Sequence, residues 1–295
     1  MQSIEPIICR IEEGTVQEDI VYHLDASQSH LTIHAAPRSK ATVTIWLECP
    51  SPLPLPVRQA GSPARGEGMM HETEVIVEEE ARLTVLCINA VDSPCSITIK
   101  QQSSVAAGAS MQWQQVTLGG RDVAHDLLSR VSGANAESAV DWMFYAKGDE
   151  KQTLTVRNVF DATNGGGEIL MQGVAEGTAH ISAKGLIDIG LKGGGTNTYL
   201  TQRVLMLDPS AKVHAVPGLE IKTNDVKASH SATVARVTPE DLFYLASRGI
   251  PLHEARAMFV QGFLGDITQR IANEELRAKV VGMIQKKYEC VSFRA

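Results

Sequence analysis

The residues of this chain best suited to chemistry lie late in the sequence. His214 in AKVHAV, Glu220 in PGLEI and His230 in KASHSAT stand in strand-like text close to turn signals. A neutral imidazole is a borderline ligand and a carboxylate a hard one, so the three are candidate ligands for an ion such as Fe²⁺. Hydrogen bonding in a turn or across an interface is the competing use of each. The five cysteines stand at 9, 49, 87, 95 and 290, an odd number unlike a disulfide framework, and imply a reducing cytosol. Cys87 and Cys95 lie outside the CxxC spacing that closes a zinc site and read as buried strand thiols. The GGG runs at 165–167 and 193–195 lack the Lys-Ser or strand-to-helix context of a phosphate loop. They predict turns, and no nucleotide held by this chain. His30 and His34 share one face of strand-like text while His23 takes the other, which predicts surface or packing roles. No GxSxG or HExxH signature is present, so the sequence does not read as an enzyme.

The elements that position these residues follow from composition and pattern. The chain has 295 residues, 43% hydrophobic and 21% charged, with a formal charge of -7. That is globular composition with room for one sizeable core or two. The acidic balance removes the footprint that nucleic acid or an anionic membrane requires. No apolar run approaches the roughly 18 residues that span a bilayer, and the opening MQSIEPIICRIEEG lacks an apolar signal region. The expectation is a soluble, cytoplasmic protein without membrane insertion.

From the N-terminus to residue 237 the text alternates apolar with polar at period two: HLTIHA, ATVTIWLEC, ETEVIVEEE, QTLTVRNVF, AHISAKGLIDIG and YLTQRVLML are examples. Residues 49–68 hold five prolines and three glycines and read as a surface loop. DLLSRVSGANAESAV alone is ambiguous between helix and strand. Links of a few residues, punctuated by Gly, Asn or Asp, are too short for βαβ crossovers. An antiparallel sandwich or barrel and a β-helix remain, and residues 181–235 favour the β-helix. There Ile181, Leu186, Ile187, Ile189, Leu205, Leu207, Val213, Leu219 and Ile221 read as inward-facing, on a period that looks irregular.

At residue 238 the pattern changes. TPEDLFYLASRG starts with Thr238 as N-cap and Pro239 at the first helical position, puts Glu240 and Asp241 on the positive end of the dipole, and ends at Gly249. A second helix begins near Pro251, with Ala255, Phe259, Phe263, Leu264, Ile267 and Ile271 on one stripe, and a third near Asn273. The reading is a mainly β protein: a β-helix (solenoid) core over 1–237 and a small α-helical domain over 238–295, with the right-handed parallel form of that core resting on the resemblance described next. The large apolar side chains of the tail (Phe243, Tyr244, Leu245, Met258, Phe259 and Phe263) exceed what three short helices need, which leaves two readings at this point, an intramolecular core and a surface that meets a partner.

PGLEI at 217–221, DVKASHSATV at 225–234, DLFYLASRGI at 241–250 and EARAMFVQGFLGDI at 254–267 resemble, in order and spacing, the C-terminal part of the SufB/SufD family. A weaker, collinear resemblance reaches back to about residue 140. Members of that family belong to the iron–sulfur cluster assembly machinery that works with an ABC-type ATPase. The resemblance implies a right-handed parallel β-helix, pairing of two family members (homodimer or heterodimer) through the end of that helix, and a helical tail docked on a SufC-like ATPase. Tyr244, Arg248, Met258 and Phe263 are the contacts it favours. It also implies that His230 lies at the partner interface and takes part in forming a transient cluster or binding Fe²⁺, with Glu220 and His214 in a second rank. The chain departs from the pattern in three ways. The N-terminal helical domain of longer members looks absent. Ala211 stands where SufB-type members place a cysteine, and Ala228 where SufD-type members commonly do.

Three functions from different classes follow: a cluster-assembly scaffold acting through His230, an ATPase-binding adaptor without cluster chemistry, and a β-helix polysaccharide-active enzyme. The four linked motifs favour the first two; the fold alone does not separate the third.

Overall fold

The computed structural model describes residues 7–25, 28–48, 68–91 and 95–289. Most of the proline-rich segment 49–68, together with Cys49 and Cys290, lies outside the described residues. The strands are β1 (Ile7–Ile11), β2 (Val16–Leu24), β3 (His30–Ala35), β4 (Lys40–Leu47), β5 (Met69–Val77), β6 (Arg82–Asn89), β7 (Ser96–Val105), β8 (Ser110–Thr117), β9 (Asp122–Val131), β10 (Glu137–Ala146), β11 (Lys151–Phe160), β12 (Gly166–Ala175), β13 (His180–Ile189), β14 (Thr196–Met206), β15 (Lys212–Ile221) and β16 (Val226–Arg236). Three helices follow: α1 (Pro239–Ser247), α2 (Leu252–Thr268) and α3 (Glu274–Glu289).

Odd-numbered strands form one eight-stranded parallel sheet and even-numbered strands another. The chain crosses from one sheet to the other after every strand, which makes a parallel β-solenoid of two strands per coil. Val140 lies beside Ile169, Ile169 beside Leu200 and Leu200 beside His230, a step of about 30 residues per coil. The period that looked irregular in the sequence is therefore close to constant in this part of the chain, its variation absorbed by the turns. The ambiguous stretch 126–140 is strand, turn and strand, with Gly133 against the backbone of Ala106 and Ala107 where a Cβ would collide.

One corner of the solenoid is a stack of left-handed residues. Gly14, Arg38, Glu80, Gly108 and Asn135 all have positive φ. Each donates its backbone N–H to the next coil: Gly14 to the Pro37 carbonyl at 3.1 Å, Arg38 to Glu79 at 2.9 Å, Glu80 to Ala107 and Gly108 to Ala134 at 3.0 Å, and Asn135 to Thr163 at 3.0 Å. The sheet ladder is continued around the bend, which satisfies backbone groups that a corner otherwise strands.

The lumen is filled by stacked aliphatic and aromatic side chains, including Val43, Val85, Trp113, Val140, Ile169 and Leu200 on the even sheet and Leu31, Val75, Val105 and Phe160 on the odd one. A second apolar cluster lies outside the even sheet, where Leu86, Ile88, Val116, Leu118, Met143, Tyr145, Leu170 and Val174 meet Val260, Leu264, Ile267, Leu276, Val280 and Ile284 of α2 and α3. Leu205 and Leu207 belong to this outer cluster, and Leu186 shares the outer face of the odd sheet with Asp188, so three of the nine aliphatics expected inside face outward; Ile221 keeps the lumen-side position but is exposed. Cys87 is buried in β6 as expected, whereas Cys95 is half-buried and precedes β7.

The helices lie across the solenoid instead of standing apart from it. Arg256 bonds Asp208 at 2.7 Å, Gln172 donates its amide to the Phe263 carbonyl, Arg270 meets Asp141 at 2.7 Å, and Asn273 donates to Asp19 of β2 at 2.8 Å. Helix α2 and the turn after it thus run from the last coils back to the first. Seventeen helical residues span about 25 Å, close to five strand spacings. Helix α3 returns to the middle, where the Lys287 ammonium is buried against both Glu150 oxygens at 2.7 and 2.8 Å and the Leu118 carbonyl at 2.5 Å. Burial outweighs the Glu150 charge and draws the Lys287 pKa below its ordinary value. Among the described residues no helix is long and apolar enough to cross a membrane.

Candidate functional site

Among the described residues the last coil, like the first (β1 and β2), has nothing stacked on its outer side. Among the described residues, β15 pairs only with β13 and β16 only with β14, leaving one backbone edge of each unpaired. Lumen-side side chains of this coil, such as Val213, Leu219 and Val226, therefore pack on the core from one side only and are partly open to solvent along the axis. Ile189 and Leu200 are 0% exposed, but Ile221, in register with Ile189, is 43% exposed, and Val234, in register with the buried Val204, is 46% exposed.

His230 is in register with Leu200, so its imidazole belongs to this lumen-side set and is presented at the open end of the solenoid. Ala228 lies beside Thr198 on the same face, and Ala211 is buried at the turn before β15. Neither position carries a thiol.

His214 and Glu220 occupy a different surface. They align with Ser182 and Asp188, on the outer face of the odd-numbered sheet, and their six-residue separation along β15 is about 20 Å. Glu220 neighbours an ion cluster already formed. Burial alone would raise the Asp188 pKa, but hydrogen bonds from Arg157 and Lys222, the latter at 3.2 Å, hold that carboxyl below its ordinary value. Within one chain the fold does not bring His230, Glu220 and His214 together. Among the described residues no three His, Cys, Asp or Glu side chains converge as a metal site. The other histidines singled out by sequence have local partners: His23 bonds Glu48 at 2.5 Å and stacks on Trp46, while His34 bonds Glu78 at 2.6 Å.

The second candidate surface is the outer side of α1 and the start of α2. Thr238 caps α1 by accepting the Asp241 N–H at 3.2 Å, while the Asp241 carboxylate accepts the Thr238 N–H at 2.9 Å; that bonding lowers the Asp241 pKa. No residue of α1 is buried. Phe243 is 75% and Tyr244 57% exposed, with Leu252 and Met258 also open to solvent. A groove of about 410 Å³ runs between the two helices, lined by Glu240, Asp241, Tyr244, Leu245, Met258 and Phe259. The Arg248 guanidinium lies 5.0 Å over the Tyr244 ring. Tyr244, Arg248 and Met258 therefore share one surface, while Phe263 is half-buried against the apolar cluster over the even sheet. Leu252 is the member that sequence reading missed; it follows Pro251 at the helix start, where no periodic stripe announces it.

With this geometry in hand, comparison with known proteins is specific. A family model described as the SUF system FeS cluster assembly SufBD core domain matches residues 18–263. An iron–sulfur cluster assembly SufBD family protein of Mycobacterium tuberculosis (strain H37Rv) is 31% identical over 237 residues, covering 76% of this chain and 59% of that protein. A counterpart in Mycobacterium leprae is 30% identical over 242 residues, covering 78% and 61% respectively. A second protein of the family from the same M. tuberculosis strain is 27% identical over 201 residues, covering 68% of this chain and 24% of its own length. The chain thus spans about three fifths of the first two relatives.

Proposed function

Since the chain belongs to the SufBD family of iron–sulfur cluster assembly proteins, we propose that it is a non-enzymatic, cytoplasmic scaffold subunit of that machinery, pairing through its last coil and engaging an ABC-type ATPase through α1 and α2. The uncovered last coil carries this reading. An apolar strand edge with unpaired backbone groups invites a second chain, and a second copy of the same edge, or that of a longer relative, satisfies both. Pairing also answers the geometry of the candidate ligands. A second chain at the open end supplies further groups near His230, where one chain offers a lone imidazole. The cluster, or Fe²⁺, is cargo held there transiently; with alanine at 211 and 228, ligation by nitrogen and oxygen is weaker than by thiolates.

A second reading, an adaptor that binds the ATPase without cluster chemistry, is favoured by the separation of His214 and Glu220 from His230. One experiment separates the two. Anaerobic reconstitution with Fe²⁺ and sulfide, followed by visible absorption, is expected to give weak, labile binding that His230→Ala abolishes. No binding in either form leaves the adaptor; a stable cluster in both overturns the role of His230. Light scattering at tens of micromolar is expected to report a dimer. ATPase docking is best tested by surface substitution: Tyr244→Asp with Met258→Asp is expected to abolish co-purification with the ATPase. Deleting 238–295 would instead strip the even sheet of the helices that cover it.

A further inference from the structure

Most of the lumen is apolar, but buried polar atoms without protein partners recur along it, among them those of His71, Gln152 and Gln202, and four of them gather between β7, β8 and β9. On the even sheet, Cys87, Gln115 and Trp142 stack in register on the lumen side. Facing them from the odd sheet are Gln101 and His125. The His125 Nε2 lies 2.9 Å from the Gln101 Oε1, and its ring meets Trp142 edge-on at 4.4 Å between centroids. The Cys87 thiol lies beside Gln101, and burial pushes its pKa up to about 12. Gln101, Gln115 and His125 are all buried. Neither amide atom of Gln115, nor the Gln101 Nε2, nor the His125 Nδ1 has a protein partner.

The protonation pattern of this group can be worked out. An amide oxygen only accepts, so the His125 Nε2 carries the proton it donates to Gln101. Burial pushes the His125 pKa down to about 3, so the ring is neutral near pH 7 and its Nδ1 is a bare lone pair. Two of the four unpartnered atoms therefore need a donor, His125 Nδ1 and Gln115 Oε1. The other two, Gln115 Nε2 and Gln101 Nε2, need an acceptor. A metal cation would serve only the first pair and an anion only the second. Water donates twice and accepts twice, and buried polar groups without protein partners are the places where internal water is retained.

We propose that the lumen at the level of Gln101, Gln115 and His125 is an internal hydration site, where bound water bridges the His125 Nδ1 to the two glutamine amides. Trp142 and Cys87 border the site, and the aliphatic levels around it, with Leu127, Leu154 and Val85 buried nearby in the stack, separate it from bulk solvent. The solenoid then contains a hydrated polar compartment, distinct from the Ser103–Ser129–Ser138 network whose hydroxyls satisfy one another, and Gln115 is its central residue.

The test uses the full-length protein, deuterated and ¹⁵N-labelled. Water-selective NOE spectra are expected to show cross-peaks from water to the Gln115 side-chain amide protons, and the His125 Nδ1 resonance is expected at the position of a hydrogen-bonded lone pair. Gln115→Leu is expected to abolish the water cross-peak at the Gln101 amide and to move the Nδ1 resonance toward that of an unbonded nitrogen. Absence of water contacts at Gln115 in the unmodified protein would overturn the site. So would a crystallographic map placing the Gln115 amide directly on His125 or Gln101. If Gln115→Leu fails to fold, the spectra of the unmodified protein decide.

Discussion

The two sheets of the solenoid share one backbone architecture and differ in what lies outside them. In the odd sheet, β7 reads SITIKQQSSV and from Ile97 onward alternates buried with partly or fully exposed positions, so its outer face is polar and solvated. In the even sheet, β10 reads ESAVDWMFYA and is buried without interruption from Val140 to Ala146. The difference is the helical layer: α2 and α3 lie across the even sheet and bury its second face. Strands covered on both sides become continuously apolar, while strands with one wet face keep period two. Continuous apolar text within a β-solenoid therefore marks the sheet that another layer covers.

The largest effect expected from breaking this asymmetry comes from a charge placed between the layers. Leu264 is buried in α2 against the even sheet. Leu264→Asp is expected to cost about 4 kcal/mol or more, because it removes a packed side chain and buries an unpaired carboxylate. The matching change on the wet face, Thr153→Asp on β11, is expected to stay within about 0.5 kcal/mol. Urea denaturation measures both, and equal losses would mean that the helices do not seal the even sheet.

Next is the buried ion pair of the same layer. Lys287→Met leaves Glu150 without its cation and is expected to cost about 3 kcal/mol; the double change with Glu150→Leu is expected to recover most of it, since a buried pair is replaced by apolar packing. Failure of the double variant to recover would show that Lys287 acts chiefly through its bond to the Leu118 carbonyl.

The smallest effect contrasts the lumen side of the odd sheet with its solvated side, and it depends on pH. His125 titrates near 6.5 in the unfolded chain but only at about 3 in the fold. Below the unfolded value the unfolded state takes up a proton that the folded state refuses, so stability falls as pH falls through this window. Between pH 7.5 and pH 5 the loss is expected to be about 2 kcal/mol at roughly 1.4 kcal/mol per fully expressed pH unit. His125→Gln should flatten the pH dependence by that amount, and an unchanged slope would show that the ring is protonated inside the lumen.

Much of the candidate surface was legible residue by residue. Thr238, Pro239 and Gly249 announce α1 through capping chemistry that is local in sequence. The excess of Phe243, Tyr244 and Met258 over what α1 and the start of α2 can bury, with the resemblance added, marked that surface before any packing was known. Phe263 was not separable from them, because an aromatic residue on a helical stripe looks the same whether it meets its own sheet or another chain. The placement of His214 and Glu220 against His230 was equally hidden: the three are within 17 positions of one another, yet β15 and β16 belong to different sheets, and parity along β15 turns two of them outward.

Period two, short turn-rich links and capped helices are properties of neighbouring residues, and they were enough to specify a β-solenoid followed by three helices. Which residues became neighbours one coil away, and which face of each sheet stayed wet, depended on contacts between segments far apart in the chain. Leu205 and Leu207 show the limit. Their spacing and hydrophobicity are those of lumen residues, and only the arrival of α2 and α3 on the even sheet made the outer face a place where burying them lowers the free energy. His230 is exposed for the converse reason: its position repeats that of a core leucine, and no further coil follows to cover it.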